Sequence, residues 1–172
     1  PEDGWYHIVP KGDFPHKRGV VQVIDDAAII AMENRFNEES KSPNFPGVLL
    51  DFDHFSQEHD QSSEAAGGIE GVQNRNNGLW GKVRWSDTGE AAVKGGRYRF
   101  VSPVWMLSES EQLGNNRIRP QRLDTVALTN DHNLKGLTPL SNRSGKLSDE
   151  TKTHKEPNME KHKEMLLTLL GL

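Results

Sequence analysis

Hydrophobic and polar positions alternate in short runs along most of the chain, a pattern typical of a protein built mainly of β-strands. The strand-like runs are rich in aromatic and β-branched residues and are bounded by Gly, Pro or Asn. They cover residues 5–9, 19–24, 47–55, 66–72, 79–85, 98–106 and 118–129. Between two of them lies Asn77-Gly78, which predicts a β-hairpin because both residues tolerate the positive φ angles of tight hairpin turns.

Two segments show helical spacing instead. In the first, apolar residues follow Asp25 and Asp26, either of which can serve as the N-cap. These apolar residues are Ile29, Ile30, Met32 and Phe36. In the second segment, Asp87 and Glu90 have the spacing of a capping box, and Gly95 ends the helix. About seven strands and two helices predict a β-rich α+β domain.

The pattern weakens towards the end of this 172-residue sequence. Residues 141–157 are almost wholly polar, so they cannot bury enough apolar surface to offset the entropy of ordering. Leucines return after Met159, but the helix that they predict is too short to be stable alone. We therefore expect a folded domain over residues 1–140, a disordered linker over 141–158 and the start of a helical scaffold segment over 159–172.

Composition and charge narrow the classes of function. The formal net charge is -4 and the two signs are interspersed, so the sequence shows no basic stripe that would neutralise a phosphate backbone, and we expect no nucleic-acid partner. The absence of Cys excludes a thiolate metal site and a Cys nucleophile. No apolar run approaches the ~20 residues of a membrane span, so we expect a soluble protein with no membrane partner.

Three of the strand-like segments each carry a residue suited to catalysis: His54, Ser102 and Asp124. A serine hydroxyl is a poor nucleophile until a neutral imidazole accepts its proton. An acid on the other ring nitrogen then fixes the tautomer and stabilises the imidazolium. Separate strands of one sheet or barrel can bring such residues together in space, so the three form a candidate triad.

Other interpretations of these residues stay open at this point. Ser102 and Asp124 can be structural residues near strand ends, and His54, with its acidic neighbours, can belong to a solvated strand end. Together with His59 and Asp60, His54 can instead bind zinc or a hard metal ion, which would make the protein a metal-dependent hydrolase. The spacing matches no defined metal motif, and we expect neither a metal nor another cofactor.

Several short motifs follow one another in a characteristic order. They are Asp-x-Asp-His-Phe at 51–55, Glu-Ala-Ala-Gly-Gly-Ile at 64–69, Gly-Leu-Trp-Gly-Lys-Val-Arg-Trp at 78–85, Gly-Arg-Tyr-Arg-Phe-Val-Ser-Pro-Val-Trp at 96–105 and Leu-Thr-Asn at 128–130. Their order and spacing, from about Trp5 to Asn142, resemble the Mu-like prophage I protein family. That family is related to the prohead proteases, whose fold resembles the herpesvirus capsid maturation protease.

The resemblance implies a herpesvirus-protease-like β-barrel flanked by helices, within the α+β class. It also implies a serine endopeptidase of phage head maturation, which cleaves scaffold and itself inside the procapsid, in the cytoplasm of the host bacterium. The expected partners are the scaffold protein, the major capsid protein and other copies of the protease. The alternative is a non-catalytic assembly module that keeps the fold and acts by binding scaffold.

The resemblance also assigns roles to single residues. Ser102 takes the place of the nucleophile and His54 that of the base. Tailed-phage prohead proteases usually have an acid before the last core strand, where Asp124 stands here, whereas the herpesvirus enzymes use a second His, for which His132 is the nearest candidate. We predict Asp124 as the third member of the triad, with His132 as its rival.

The oxyanion of the reaction needs donors other than the residue after the nucleophile. That residue is Pro103, which has no backbone N–H. In the herpesvirus enzymes, a loop with Gly and Arg after the nucleophile strand supplies donors. By resemblance, the loop at 113–117, which contains Gly114 and Arg117, is the candidate here.

Overall fold

Ten β-strands and two α-helices make up the part of the chain that the computed structural model describes, residues 2–16 and 19–140. The strands are β1 (Trp5–Pro10), β2 (Gly12–Pro15), β3 (Val21–Ile24), β4 (Val48–Phe52), β5 (Ala65–Arg75), β6 (Gly78–Trp85), β7 (Phe100–Val104), β8 (Ser110–Gly114), β9 (Arg117–Pro120) and β10 (Thr125–Thr129). The helices are α1 (Asp26–Glu39) and α2 (Asp87–Lys94). The predicted linker and the predicted C-terminal helix lie outside the described residues.

Six strands form one sheet in the order β1-β6-β5-β4-β10-β7, in which only β4 and β10 run parallel. The edge strands β1 and β7 approach each other, and the segment after β10 bridges them. In this segment, the Leu140 N–H donates to the carbonyl of Arg99 (2.8 Å), and the Thr138 N–H donates to Nδ1 of His7 (3.4 Å). The sheet is a nearly closed barrel with both helices packed on it, which confirms the predicted α+β barrel flanked by helices.

The other four strands form a second sheet, β2-β3-β9-β8. Its β8–β9 hairpin turns at Asn115 and Asn116, which have φ angles of 52° and 57°. Tight hairpin turns need such positive angles, and Asn tolerates them. The segment predicted as a polar loop is therefore a hairpin. The single strand predicted over 118–129 is wrong, because β9 ends at Pro120, which cannot extend the ladder, and β10 belongs to the other sheet.

The helices begin at polar caps. Asp25 caps α1 by accepting the Ala28 N–H at 2.9 Å, as predicted. Ser86 caps α2 by accepting the Gly89 N–H at 3.0 Å. The predicted capping box starting at Asp87 is wrong, because the chain enters the helix one residue earlier and Asp87 is its first helical residue.

The hydrophobic core fills the space between α1 and one face of the barrel sheet. The helix buries Ile29, Met32 and Phe36, whereas Ile30, which the pattern also assigned to the apolar face, is 48% exposed. The largest fully buried aliphatic side chains of the sheet are Ile8, Leu50, Ile69, Leu79 and Leu128. Each such side chain contributes roughly 1.5–3 kcal/mol by leaving water. Leu50 and Leu128 bury one face of β4 and β10, so the opposite face is left for other side chains.

His7 joins three parts of the barrel. Its Nε2–H donates to the carbonyl of Asn77 in the β5–β6 turn (3.0 Å), its Nδ1 accepts from Thr138, and its ring stacks on Trp80 with centroids 5.3 Å apart. This bonding pattern requires the neutral imidazole with its proton on Nε2. Burial lowers the pKa of His7 below its usual 6.5, which favours that neutral form.

Acidification below the ordinary histidine pKa of 6.5 is expected to lower the free energy of unfolding, because the unfolded chain binds the His7 proton at higher pH than the folded protein does. One such group contributes a slope of at most about 1.4 kcal/mol per pH unit. His7→Phe keeps a ring against Trp80 but cannot titrate, so its slope should be smaller, while the exposed-site variant His59→Asn should match the wild type. Urea unfolding across this pH range measures the slope, and an unchanged slope in His7→Phe contradicts the prediction.

Candidate functional site

Strand β10 holds β4 and β7 on its two sides. At the level of Ala127, its neighbours are Asp51 of β4 and Ser102 of β7. Directly paired residues point to the same side of a sheet, so these three residues and Thr125 share one face, which we call the site face. The Cα atoms of Asp51 and Ser102 are about 10 Å apart across two strand spacings.

The chain after β4 folds back over the site face. Asp53 and His54 both adopt the left-handed backbone conformation, with φ of 49° and 61°, and Phe55–Gln57 form a single 3₁₀ turn. The side-chain amide of Gln57 then donates from Nε2 to the hydroxyl of Thr125 at 3.3 Å. Left-handed conformations of non-glycine residues cost roughly 1–3 kcal/mol each and cluster at functional sites. His54 is only 8% exposed within this turn.

The carboxylate of Asp51 holds the turn in place. It is fully buried, and its Oδ2 accepts both the backbone N–H of Ser56 at 3.0 Å and the hydroxyl of Ser56. Burial raises the pKa of Asp51 above its usual value, and the hydrogen bonds partly offset this rise. The interpretation of this segment as a solvated strand end is therefore wrong for Asp51. The sequence feature that indicates the burial of Asp51 is its position within an apolar strand, where a carboxylate needs hydrogen-bond partners.

Asp53 ties the same turn to both neighbouring strands. Its backbone N–H donates to the carbonyl of Leu128 in β10 at 2.9 Å, and its carboxylate accepts the hydroxyl of Tyr98, just before β7, at 2.7 Å. Burial and this hydrogen bond raise the pKa of Tyr98 well above its usual value. The turn that carries His54 is thus fixed relative to the strand that carries Ser102.

Ser102 lies in the middle of β7 and is 2% exposed. Pro103 follows it and pairs with Val126, so its side chain points away from the site face. Ser102 and the turn with His54 lie on the same side of the β4-β10-β7 unit. This is the arrangement that a Ser-His pair requires, and the catalytic role of the two residues stays a prediction.

His132 also reaches the site face. Thr129, at the end of β10, accepts the backbone N–H of Asp131 on its hydroxyl at 3.0 Å, which turns the chain back. The ring of His132 then stacks on Phe100, with centroids 4.1 Å apart. Phe100 stands two residues before Ser102 on the same face of β7. Burial lowers the pKa of His132, and its buried Nδ1 makes no hydrogen bond within the described part of the chain.

Asp124 lies at the opposite end of β10. Its Oδ1 accepts from Nη1 of Arg122 at 3.0 Å, and the same guanidinium binds Glu39 of α1. Asp124 comes directly before Thr125, the residue that Gln57 of the turn reaches, and no contact joins its carboxylate to His54 within the described part of the chain. The structure brings Ser102, the His54 turn and His132 to one side and places Asp124 beside Arg122.

Residues 6–141 match the family described as Mu-like prophage I protein, N-terminal domain. The chain belongs to this family. It is also 24% identical, over an alignment 190 positions long, to the Mu-like prophage FluMu I protein of Haemophilus influenzae, and the alignment covers 99% of this chain and 48% of that protein. The chain therefore spans about half the length of this curated relative. No solved structure matches. The family resemblance is confirmed, and the protein is phage-related.

The loop predicted to bind the oxyanion is the β8–β9 hairpin of this Mu-like prophage I domain. The hairpin belongs to the second sheet, whereas Ser102 is in the barrel sheet. Its Arg117 donates to the carboxylate of Asp13 in β2 at 2.9 Å. The structure therefore pairs this arginine with an acid of its own sheet, and the predicted role of the loop stays untested.

Within residues 2–16 and 19–140 of the Mu-like prophage I domain, no group of three or more His, Asp or Glu residues is arranged to hold a metal ion. None of the helices described there has the length and apolar character needed to cross a membrane.

Proposed function

We propose that the domain is a serine endopeptidase of phage head maturation, which cleaves the scaffold protein and its own chain inside the procapsid. The observation that carries the proposal is the pairing of β10 with both β4 and β7, which puts Ser102 and the turn with His54 on one buried face. The strained backbone at Asp53 and His54 supports it, because such conformations persist where the surrounding structure enforces them, often at functional sites.

In the proposed reaction, His54 accepts the hydroxyl proton of Ser102 as Oγ attacks the carbonyl carbon of the scissile peptide bond. The tetrahedral intermediate collapses, the C–N bond breaks, and His54 passes the proton to the leaving amine. Water then attacks the acyl-serine ester with His54 again as the base, which releases the new carboxylate and restores the hydroxyl of Ser102. The mechanism uses no cofactor.

The third catalytic group is Asp124 or His132, and the geometry favours His132. The ring of His132 stacks on Phe100, two residues before Ser102 on the site face, whereas the carboxylate of Asp124 is bonded to Arg122 just before β10. A neutral His132 can hydrogen-bond to the imidazole of His54 and stabilise the imidazolium that forms when Ser102 loses its proton.

The proposed setting is the procapsid within the host cytoplasm, where the scaffold protein and the major capsid protein surround the protease and other copies lie nearby. Self-cleavage is expected between residues 141 and 159, because a polar segment offers an extended backbone to a protease. This segment lies outside the described residues.

One observation favours a second candidate, the non-catalytic assembly module. Ser102 is 2% exposed, so a substrate carbonyl reaches its hydroxyl only when the covering residues move. A module that binds scaffold without cleaving it needs no such access.

A fluorophosphonate reagent distinguishes the two functions. It forms a P–O bond to an activated serine Oγ with loss of fluoride, and peptide mass spectrometry locates the adduct. We expect labelling of Ser102 in the wild type, no labelling in His54→Ala, and none at the control serine Ser110, whose hydroxyl donates to the carbonyl of Met106. A chelator should leave both labelling and scaffold cleavage unchanged, which separates the serine mechanism from a metal-dependent one. Folded protein that neither labels at Ser102 nor cleaves scaffold would be an assembly module.

A further inference from the structure

A groove of about 460 Å³ crosses the surface of β4, β5 and β6 beside the site face. Its lining includes Pro46 before β4, Leu49 of β4, Gly68 of β5, and Arg84 and Trp85 of β6. Pro46 and Leu49 are among the apolar residues of this lining. Arg84 stands at an exposed edge of the groove. The groove is thus a mainly apolar depression with a charged rim.

The groove lies on the same side of the sheet as the site face. Gly68 pairs with Leu49, and Leu49 lies at the level of Thr125, because β4 and β10 are parallel and Leu50 pairs with Val126. Paired residues share a face, so Gly68, Leu49 and Thr125 point to the same side as Ser102. Three strand spacings separate β5 from β7, roughly 14 Å, which is the length of about four extended residues.

Gly68 has no packing reason to be glycine. At its neighbour Gly67, a Cβ would lie 2.5 Å from the carbonyl oxygen of Arg84, so glycine is required there. At Gly68, the nearest atoms to such a Cβ are the carbonyl oxygens of Pro46 at 3.9 Å and Val48 at 4.0 Å, and its φ is not positive. Glycine weakens a strand interior, and one that its own fold does not need often marks the close approach of a ligand or another backbone.

The rim of the groove carries both signs of charge. Glu70 and Arg84 form an ion pair of 2.9 Å across β5 and β6, and their side chains are largely exposed. Because the pair is neutral as a whole, the rim does not select a strongly charged segment. The apolar lining and the neutral rim of the groove fit an extended polypeptide that places an apolar side chain over Gly68.

We propose that this groove binds an extended segment of the scaffold substrate and takes one of its apolar side chains over Gly68, about four residues from the bond that Ser102 cleaves. The inference rests on the proposed function and adds a determinant of specificity to it. Side chains close to the cleaved bond would meet the His54 turn and Thr125, and the more distant side chain would meet Gly68.

The test places a larger side chain at Gly68, where it would occupy the groove. Gly68→Leu adds a side chain where the fold leaves room, and Gly68→Ala is a smaller second variant that the available space accepts without strain. Gln73→Leu is the matched control, because it adds the same side chain at an exposed position further along β5. Thermal unfolding of all three checks that the barrel is intact.

Kinetics on a scaffold peptide of about twelve residues, long enough to span both Ser102 and the groove, give the main readout. In Gly68→Leu, kcat/KM should fall at least about tenfold through KM, because the interaction is remote from the reacting bond. Gln73→Leu should match the wild type. A peptide shortened to end about two residues from the cleaved bond cannot reach the groove, so wild type and Gly68→Leu should cleave it equally. Equal kcat/KM on the long peptide overturns the inference.

Binding separates this inference from the proposed function. Overlapping peptides that cover the scaffold protein are titrated into Ser102→Ala and into Ser102→Ala/Gly68→Leu, with fluorescence anisotropy as the readout. At least about tenfold weaker binding of a peptide to the double variant supports the proposal that the groove binds scaffold. This holds even if the wild type cleaves nothing, in which case only the protease proposal fails. Equal affinities for the single and the double variant, or no binding to either, overturn the proposal that the groove binds scaffold.

Discussion

Replacing Ser102 with alanine is expected to lower the rate of scaffold cleavage at least about 10⁴-fold, because alanine has no oxygen that can attack the peptide carbonyl. The change removes one atom from a strand residue and leaves the pairing of Ser102 with Ala127 intact. Mass spectrometry of scaffold after incubation with the wild type or the variant measures the loss and also reports the cleavage sites. Circular dichroism checks that the fold is unchanged.

Two further variants make this expectation specific. Ser110→Ala removes a hydroxyl from β8 in the second sheet and should cleave at the wild-type rate. His54→Ala should lose as much activity as Ser102→Ala, and the double variant should be no worse than either, because the two groups act in one step. Cleavage by Ser102→Ala at the wild-type rate would refute the assignment of the nucleophile.

Local sequence patterns predicted the parts of the fold that depend on local geometry. Asn77-Gly78 correctly predicted the hairpin between β5 and β6, and the helical spacing after Asp25 predicted α1. The hairpin at Asn115-Asn116 was missed although Asn tolerates the positive φ angles of its turn, because the strands on either side are short and polar. Such strands do not show the alternation from which a strand is recognised.

The site depends on pairings that no local pattern reports. Asp51, Ser102 and Ala127 come from distant segments, and they become neighbours only because β10 runs parallel to β4 and antiparallel to β7. The sequence offered Ser102 and His54 through a family resemblance, which carries information about spatial arrangement that periodicity lacks. The partners of the buried Asp51 needed the structure, since its position in an apolar strand indicates only that the carboxylate must be paired and not that Ser56 pairs with it.

The geometry of β10 leads to the second large effect, which concerns the partner of His54. His132→Phe should reduce kcat by about 10²–10⁴-fold, in the range seen when the group that orients a catalytic imidazole is lost. Phenylalanine keeps a ring against Phe100, so the stacking survives and the nitrogens alone are removed. Asp124→Asn should stay within about threefold of the wild-type kcat and lose at most about 1 kcal/mol of stability, because its partly exposed pair with Arg122 is weakened.

The pH profile of kcat/KM separates a catalytic loss from a structural one. If His132 stabilises the imidazolium of His54, His132→Phe should move the acidic limb of the profile, whereas a loosened fold would lower the rate at every pH without moving it. If His132→Phe is fully active and Asp124→Asn is inactive, the group that stabilises the imidazolium of His54 is Asp124. That result would require the carboxylate of Asp124 to leave Arg122 and turn towards His54, so the ordered structure would have to rearrange on binding substrate.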